Sequence, residues 1–399
     1  MMKKVTIITQ YFRPEMGAPQ NRLFELAKGM QEEGFNVSII TGMPNYPTGH
    51  IFPNYRKKLF CKEFIDELVI LRYWLYASNS KKTLPRIVNM LSFSLIVLFA
   101  LFYLIRRKND IIIVESPPLI LGISGWMLAR LSGSKFVFNV SDLWPLTARE
   151  LGALSDGFIY KCLEGIENFL YKKADLCMGQ SAEIVQYIRE HGAKDVYLFR
   201  NGVDPERFYD INVEKAPGNT LVYAGLLGVA QGIFNICEQV DFVKCNTVFH
   251  IFGEGSEKEK ICSFLKDHPD RNIIYHGSVA REQIPLVLKC YSASLIVLVK
   301  NIFGAVPSKI YESMAAGLPI FFSGEGEAVS IIKENNLGWV SSAKDYLSLE
   351  NNMIEAFSNQ KEFLNKKECC FNAANNLYNR KRQIKVLCDY LINIGNRKR

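Results

Sequence analysis

The residues from Phe303 to Pro319, FGAVPSKIYESMAAGLP, carry the types and spacing best suited to chemistry in this chain. Ser308 reads as an N-cap, Lys309 to Ala316 as helix, Gly317 as the left-handed residue that closes it, and Pro319 as the block to continuation. The first turn of such a helix offers unpaired backbone N–H groups and the positive end of a dipole. An anion at Ser308 and Lys309 is stabilised there, and Lys309 adds a full charge. Phosphate suits that place. Glu312 lies three residues further along the same face, where a carboxylate accepts hydrogen bonds from sugar hydroxyls. One short element could thus hold both parts of a nucleotide sugar. A solvent-facing Lys309–Glu312 pair on an ordinary capped helix is the other reading of the same residues.

The elements that must position these groups alternate along the chain. Strand-like apolar runs fall at Val5 to Thr9, Val37 to Thr41, Ile111 to Glu115, Phe136 to Val140, Thr220 to Ala224, Val248 to Phe252, Ile273 to His276 and Leu295 to Val299. Amphipathic segments lie between them, as at Arg22 to Glu33, Ile159 to Lys173 and Ala182 to His191. Such alternation predicts parallel sheets covered by helices on both faces, and the series occurs twice. The turn-rich stretch Leu198 to Lys215, with Asn201-Gly202-Val203-Asp204-Pro205, suits a joint between two α/β lobes that face each other across a ligand cleft.

Backbone-rich loops follow the strands. Gly17-Ala18, after the first, allows close approach to a diphosphate, and Tyr223 to Gly232 forms a second such loop. Neither contains G-x-G-x-x-G, which argues against a dehydrogenase.

At 399 residues, 48% hydrophobic and 22% charged, the chain has the balance of a globular protein of two to three domains, and disorder is excluded. The net charge of +8 fits an anionic partner, but basic residues scattered over the whole length make no nucleic-acid footprint. The ten cysteines include no C-x-x-C pair and match neither a disulfide framework nor a zinc site, which points to the cytosol. The start reads as a buried strand rather than a signal peptide.

Leu91 to Ile105 is almost wholly apolar and has Lys81, Lys82 and Arg86 before it and Arg106, Arg107 and Lys108 after it. It is shorter than the roughly 20 residues a bilayer requires, and a strand of the first sheet follows at once. A helix buried in the first lobe, or one lying partly in a membrane interface with cationic flanks, fits better. The interfacial reading is preferred.

With these segments assembled, the chain resembles a retaining glycosyltransferase of family 4 with the two-lobed GT-B fold, within a bacterial surface-polysaccharide branch similar to L-fucosamine transferases. The matching pieces are QYFRPEMGAP (from Gln10), MPNYPTG (Met43), ESPP (Glu115), SDLWP (Ser141), RNGVD (Arg200), AGLLGVAQG (Ala224) and PSKIYESMAAGLP (Pro307). Their order and spacing across both lobes carry the resemblance.

The resemblance implies an acceptor domain over 1–200 with an apolar membrane-associating helix near 87–105. It implies a nucleotide-sugar domain over 201–375 and a helix over 376–399 that returns to the first domain. Gly17, Ala18, Gly225, Gln231 and Gly232 would lie against the donor diphosphate, and Gly277, Ser278 and Val279 against the base, expected to be uracil. Ser308 and Lys309 would hold phosphate, and Glu312 the ribose. Asn45, Tyr46, Asp142 and Trp144 would face the acceptor, and Asp142, Lys309 and Glu312 would be the catalytic set.

Three departures stand out. The first glutamate of the family's Glu-x7-Glu pattern falls at Gly304, two loop cations at Leu226 and Gln231, and the His before the acid at Ser141. Asp142 either serves the acceptor or caps the Trp144-Pro145 turn. The expectation is transfer of a sugar, such as an N-acetylated amino sugar, from a UDP-sugar to a lipid-linked glycan of O-antigen or capsule at the inner face of the cytoplasmic membrane. Neither metal nor other cofactor is expected. A catalytically weak binding subunit and a nucleotide-sugar epimerase of similar fold are the rival expectations.

Overall fold

The structure, a computed structural model, describes residues 3–80 and 82–396, so Met1, Met2, Lys81 and Arg397 to Arg399 lie outside the described residues. The chain divides into two units. One runs to Arg200 and resumes at Lys381, and the other spans Asn201–Arg380.

The first unit contains β1 (Lys4–Ile8), β2 (Asn36–Gly42), β3 (Phe60–Ile65), β4 (Leu68–Tyr73), β5 (Ile111–Ser116), β6 (Lys135–Val140), β7 (Leu176–Gly179) and β8 (Val196–Leu198). They form one sheet in the order β3-β4-β2-β1-β5-β6-β7-β8. Every pair is parallel except β3 with β4. Runs such as Ile-Ile-Ile-Val in β5 are buried throughout, because helices cover both faces.

One face packs Phe93, Val97, Leu104, Phe138 and Leu170 from the helices Thr83–Ile96 to Phe158–Lys173 and the strands beneath. The opposite face packs Leu23 and Met30 of the helix Ala18–Glu32 against Ile7, Val37 and Val137. The helix Arg380–Asn396 completes that second face through Ile384, Leu387, Cys388, Leu391 and Ile394. Each buried Ile or Leu contributes about 1.5–3 kcal/mol, enough to hold this terminal helix on the first unit. Tyr390 adds a hydrogen bond from its hydroxyl to Asp195 at 2.5 Å.

The second unit contains β9 (Thr220–Ala224), β10 (Val248–Phe252), β11 (Ile273–Tyr275), β12 (Ala293–Val297), β13 (Ile320–Ser323) and β14 (Gly338–Ser341), ordered β11-β10-β9-β12-β13-β14 and parallel throughout. Numbered within the unit this order is 3-2-1-4-5-6. Its connections reverse direction between β9 and β12, and in an open parallel sheet that reversal opens a crevice at the carboxyl ends of the two strands. In the first sheet the same reversal falls between β1 and β5. Val203 N–H bonds the Tyr378 carbonyl and Arg380 N–H the Val203 carbonyl, both at 2.9 Å, so the strands of chain entering and leaving the second unit are joined.

The hairpin β3–β4 is absent from the sequence reading. Its turn residues, Asp66 and Glu67, take left-handed φ values of 46° and 68° without the glycine that usually signals such a turn. Strands β7, β8, β13 and β14, of three or four residues each, are too short to show periodicity.

Candidate functional site

At the reversal point of the second sheet, the loop after β9 meets the helix Lys309–Ala315 that follows β12. Lys309 lies across Gly225. A Cβ on Gly225 would stand 2.1 Å from Lys309 Cε and 2.6 Å from Nζ, and the φ of +153° is itself one that side chains avoid. The ammonium sits 5.0 Å from the centroid of Tyr223, whose own hydroxyl donates to the Leu226 carbonyl at 2.5 Å.

Burial lowers the Lys309 pKa, and Glu312 opposes the shift. Burial likewise raises the Glu312 carboxyl, while Arg281, Arg207 and Lys309 pull it back. This is not a solvated surface pair. The two arginines are a feature the sequence reading misses: they come from single-turn segments at Pro205–Phe208 and Arg281–Gln283, which have no motif of their own.

The helix ends as its sequence demands. Gly317 has φ +67°, Leu318 N–H bonds Ser313 and Gly317 N–H bonds Met314, both at 2.9 Å, which closes the last carbonyls. The helix stops one residue earlier than expected, at Ala315. Ser308 departs from the expected role of side-chain cap. Its backbone is already helical (φ −60°, ψ −23°), so the hydroxyl cannot reach back to the first-turn amides and stays exposed.

Gly232 begins the next helix in a left-handed conformation, and Gln231 is half-buried with its Oε1 unpartnered among the described residues. The carbonyl of Gly277 accepts from Gly253 N–H at 2.8 Å, Ser278 is exposed, and Val279 packs on the core. Gly304 takes φ +80° where the family's first glutamate would stand.

The first unit has its own recess, of about 570 Å³, at the reversal between β1 and β5. The loop after β1 supplies Thr9 to Tyr11 and Gly17 to Gln20; the loop after β2 supplies Asn45 to Pro47 and Gly49. Pro117 and Pro118 follow β5, and Ser141 and Asp142 follow β6. Gly17, Ala18, Asn45, Tyr46 and Asp142 therefore share one lining. Trp144 stands outside it, packed against the core. The donor residues of the sequence reading divide between the units, with Gly17 and Ala18 in the first and the others in the second.

Beneath the recess lies a buried network that sequence alone did not reveal. Arg22 donates through Nη2 to Glu115 at 2.5 Å and to Ser141 at 2.6 Å, and through Nη1 to Gln180 at 2.9 Å. Ser141 and Asn139 also donate to Glu115. Burial raises the pKa of the Asp142 carboxyl, and the Arg22 guanidinium opposes the shift. Glu15 fixes the loops from behind. Its carboxylate accepts from the amides of Asn45 and Tyr46 at 2.8 Å and of Phe12 at 3.0 Å, and burial still pushes it up to about 7.

Comparison with known proteins agrees with this arrangement. Residues 17–202 match the family model "Glycosyl transferase 4-like domain" and residues 206–375 the model "Glycosyl transferases group 1". WcaI of Escherichia coli (strain K12), a glycosyl transferase assigned by its name to colanic acid biosynthesis, is 25% identical over 332 residues, covering 79% of this chain and 81% of its own. Among solved structures, sucrose-phosphate synthase of Thermosynechococcus elongatus superposes with a TM-score of 0.73 at 14% identity, covering 98% of both chains. Anabaena HepE, solved with UDP and glucose, gives 0.68 at 12% identity over 98% of this chain and 100% of that one. The two matched models and the two parallel-sheet units together identify the chain as a member of the family 4 glycosyltransferases with the GT-B fold.

Proposed function

We propose that the chain moves a sugar, with retention of configuration, from a UDP-sugar to a lipid-linked glycan in the synthesis of a surface polysaccharide such as O-antigen or capsule. The observation that carries this reading is Lys309 laid across Gly225 at the reversal point, with Glu312 one turn along. In the transfer, the bond from the sugar's anomeric carbon to the diphosphate oxygen breaks and a bond to the acceptor hydroxyl forms. The departing diphosphate carries the electron pair. Lys309 and nearby amides, with the free Ser308 hydroxyl, stabilise that charge without a metal. The acceptor proton passes to Asp142 or to the leaving phosphate. Glu312 holds the ribose hydroxyls, and Gly277 to Val279 the uracil. UDP in the HepE structure supports a nucleotide-sugar donor, and the name of WcaI supports a polysaccharide product. An amino sugar such as N-acetyl-L-fucosamine rests on the motif resemblance alone.

The membrane enters through the apolar helix. Leu84–Arg107 is 24 residues long, and its most apolar 18-residue stretch has mean hydropathy 2.3 and is one-third buried. Phe93, Val97, Ala100 and Leu104 are in the core, whereas Leu95, Phe99 and Phe102 are more than 60% exposed. Arg107 ties the far end to the sheet, donating to Val5, Thr6, Ser38, Asn36 and Asn109. A helix docked along one side and apolar on the other favours an interfacial seat over a span, on the inner face of the cytoplasmic membrane.

A screen of UDP-sugars with membrane-extracted lipid-linked glycan tests the proposal. Transfer with one donor and its loss in Glu312→Ala are expected. A Glu312→Ala protein as active as the parent refutes the donor assignment. Gly304, Leu226 and the orphaned Gln231 favour a catalytically weak subunit instead, which would bind UDP yet release no nucleotide from any donor.

A further inference from the structure

The helix with the exposed apolar face also furnishes one wall of the first-unit recess. Arg86, Asn89 and Met90 line it, on the stripe that continues into buried Phe93. Asn89 is bolted in place. It accepts from Gln10 Nε2 at 2.6 Å and from the Tyr11 hydroxyl at 3.3 Å, and donates to the Tyr76 carbonyl at 2.7 Å. Arg86, one turn earlier, is exposed and has no hydrogen bond or ion pair among the described residues. It acts electrostatically on the Tyr11 hydroxyl.

The lining holds two further charged residues, Glu115 and Asp142. Arg22 neutralises Glu115 and acts on Asp142, which Arg86 does not. The recess therefore presents the exposed Asp142 carboxylate and, on its helical wall, the guanidinium of Arg86. Immediately beside that guanidinium in sequence, Leu84, Ile87 and Val88 are exposed.

Resting on the reading of this recess as the acceptor site, we propose that Arg86 grips the diphosphate that links the acceptor glycan to its prenyl lipid. The glycan then lies in the recess with its hydroxyls toward Asp142, and the prenyl chain leaves past Leu84, Ile87 and Val88 toward the bilayer. A guanidinium matches a diphosphate through paired N–H donors, a fit that an ammonium does not reproduce. Arg86 is thus a binding residue for the lipid-linked substrate and has no part in bond breaking.

The test is direct binding of farnesyl diphosphate, farnesol, inorganic pyrophosphate and UDP to the full-length protein and to Arg86→Ala and Arg86→Lys. Farnesyl diphosphate is expected to bind more tightly than farnesol or pyrophosphate alone. Arg86→Ala should weaken it between about tenfold and a hundredfold, the range for charge-assisted hydrogen bonds, with Arg86→Lys in between. UDP binding should not change, which also certifies the fold of the variants. Equal binding of farnesyl diphosphate by Arg86→Ala and the parent overturns the proposal. So does loss of UDP binding in that variant, which would make Arg86 a donor residue. Loss of pyrophosphate and farnesyl diphosphate in equal measure, with the parent binding both alike, overturns the lipid part. A parent that transfers sugar only to acceptors without lipid defeats the acceptor reading itself, whatever Arg86 binds.

Discussion

Substituting Gly225 by Ala puts the donor assignment to its sharpest trial. The new Cβ would lie 2.1 Å from Lys309 Cε, so the lysine must withdraw by about 1.3 Å to reach ordinary contact near 3.4 Å. The tip of a lysine moves easily, so the collision costs function more than stability. The φ of +153° adds its own strain, of order 1–3 kcal/mol for a residue other than glycine. If Lys309 holds a phosphate at about 3 Å, withdrawal to about 4.3 Å at an effective dielectric of about 20 weakens the attraction from about 5.5 to about 3.9 kcal/mol. The loss of about 1.6 kcal/mol corresponds to roughly 15-fold in affinity. Calorimetric titration with UDP should show that weakening in Gly225→Ala and a loss at least as large in Lys309→Ala, with a melting point a few degrees lower only in the glycine variant. A Gly225→Ala protein that melts lower yet binds UDP within twofold of the parent would falsify the placing of Lys309 on the diphosphate.

Glu312→Gln should lose about tenfold or more in UDP affinity, since a charged acceptor bond contributes about 1.5–3 kcal/mol, and an unchanged dissociation constant would remove Glu312 from the ribose. Glu167 is buried beneath the Tyr171 hydroxyl at 2.6 Å, and burial lifts it to about 7 from 4.5. The folded state therefore holds this proton at a higher pH than the unfolded state, so the associated stability is full below about 4.5 and is lost as pH rises to about 7, by up to roughly 3 kcal/mol. Urea unfolding of Glu167→Gln should show a variant more stable than the parent at pH 8 and equal to it near pH 4.5; equal stability at both would contradict the argument. Glu115→Ala strands the Arg22 guanidinium and should cost about 3–5 kcal/mol, on the order of 10 °C in melting temperature, whereas a fall under 2 °C would show the network to be weak. Phe99→Glu with Phe102→Glu should abolish flotation with anionic vesicles without lowering UDP affinity, and full flotation would place the membrane contact elsewhere.

Parts of this protein are written locally and could be read without coordinates. The alternation of buried runs with amphipathic segments specifies two α/β units, because a strand covered on both faces must be apolar at consecutive positions, as Ile111 to Val114 are. Helix termination at Gly317 and Pro319 is equally local, being a matter of φ and of a missing N–H. The glycines at 225 and 232 could be marked as places of close approach, but not what approaches them.

Tertiary structure decided the rest, because the groups concerned come from distant parts of the chain. Arg22 and Glu115 are 93 residues apart and meet only where the first sheet reverses between β1 and β5. Arg207, Arg281 and Glu312 come together only around the carboxyl ends of the second sheet, and no spacing rule links them. The apolar segment at 91–105 reads alike as core or as membrane contact, since hydropathy is blind to direction. Folding buried Phe93, Val97 and Leu104 and left Phe99 and Phe102 outside. Sequence set which groups were available and how each element begins and ends; the order of strands in the two sheets set which of them became neighbours.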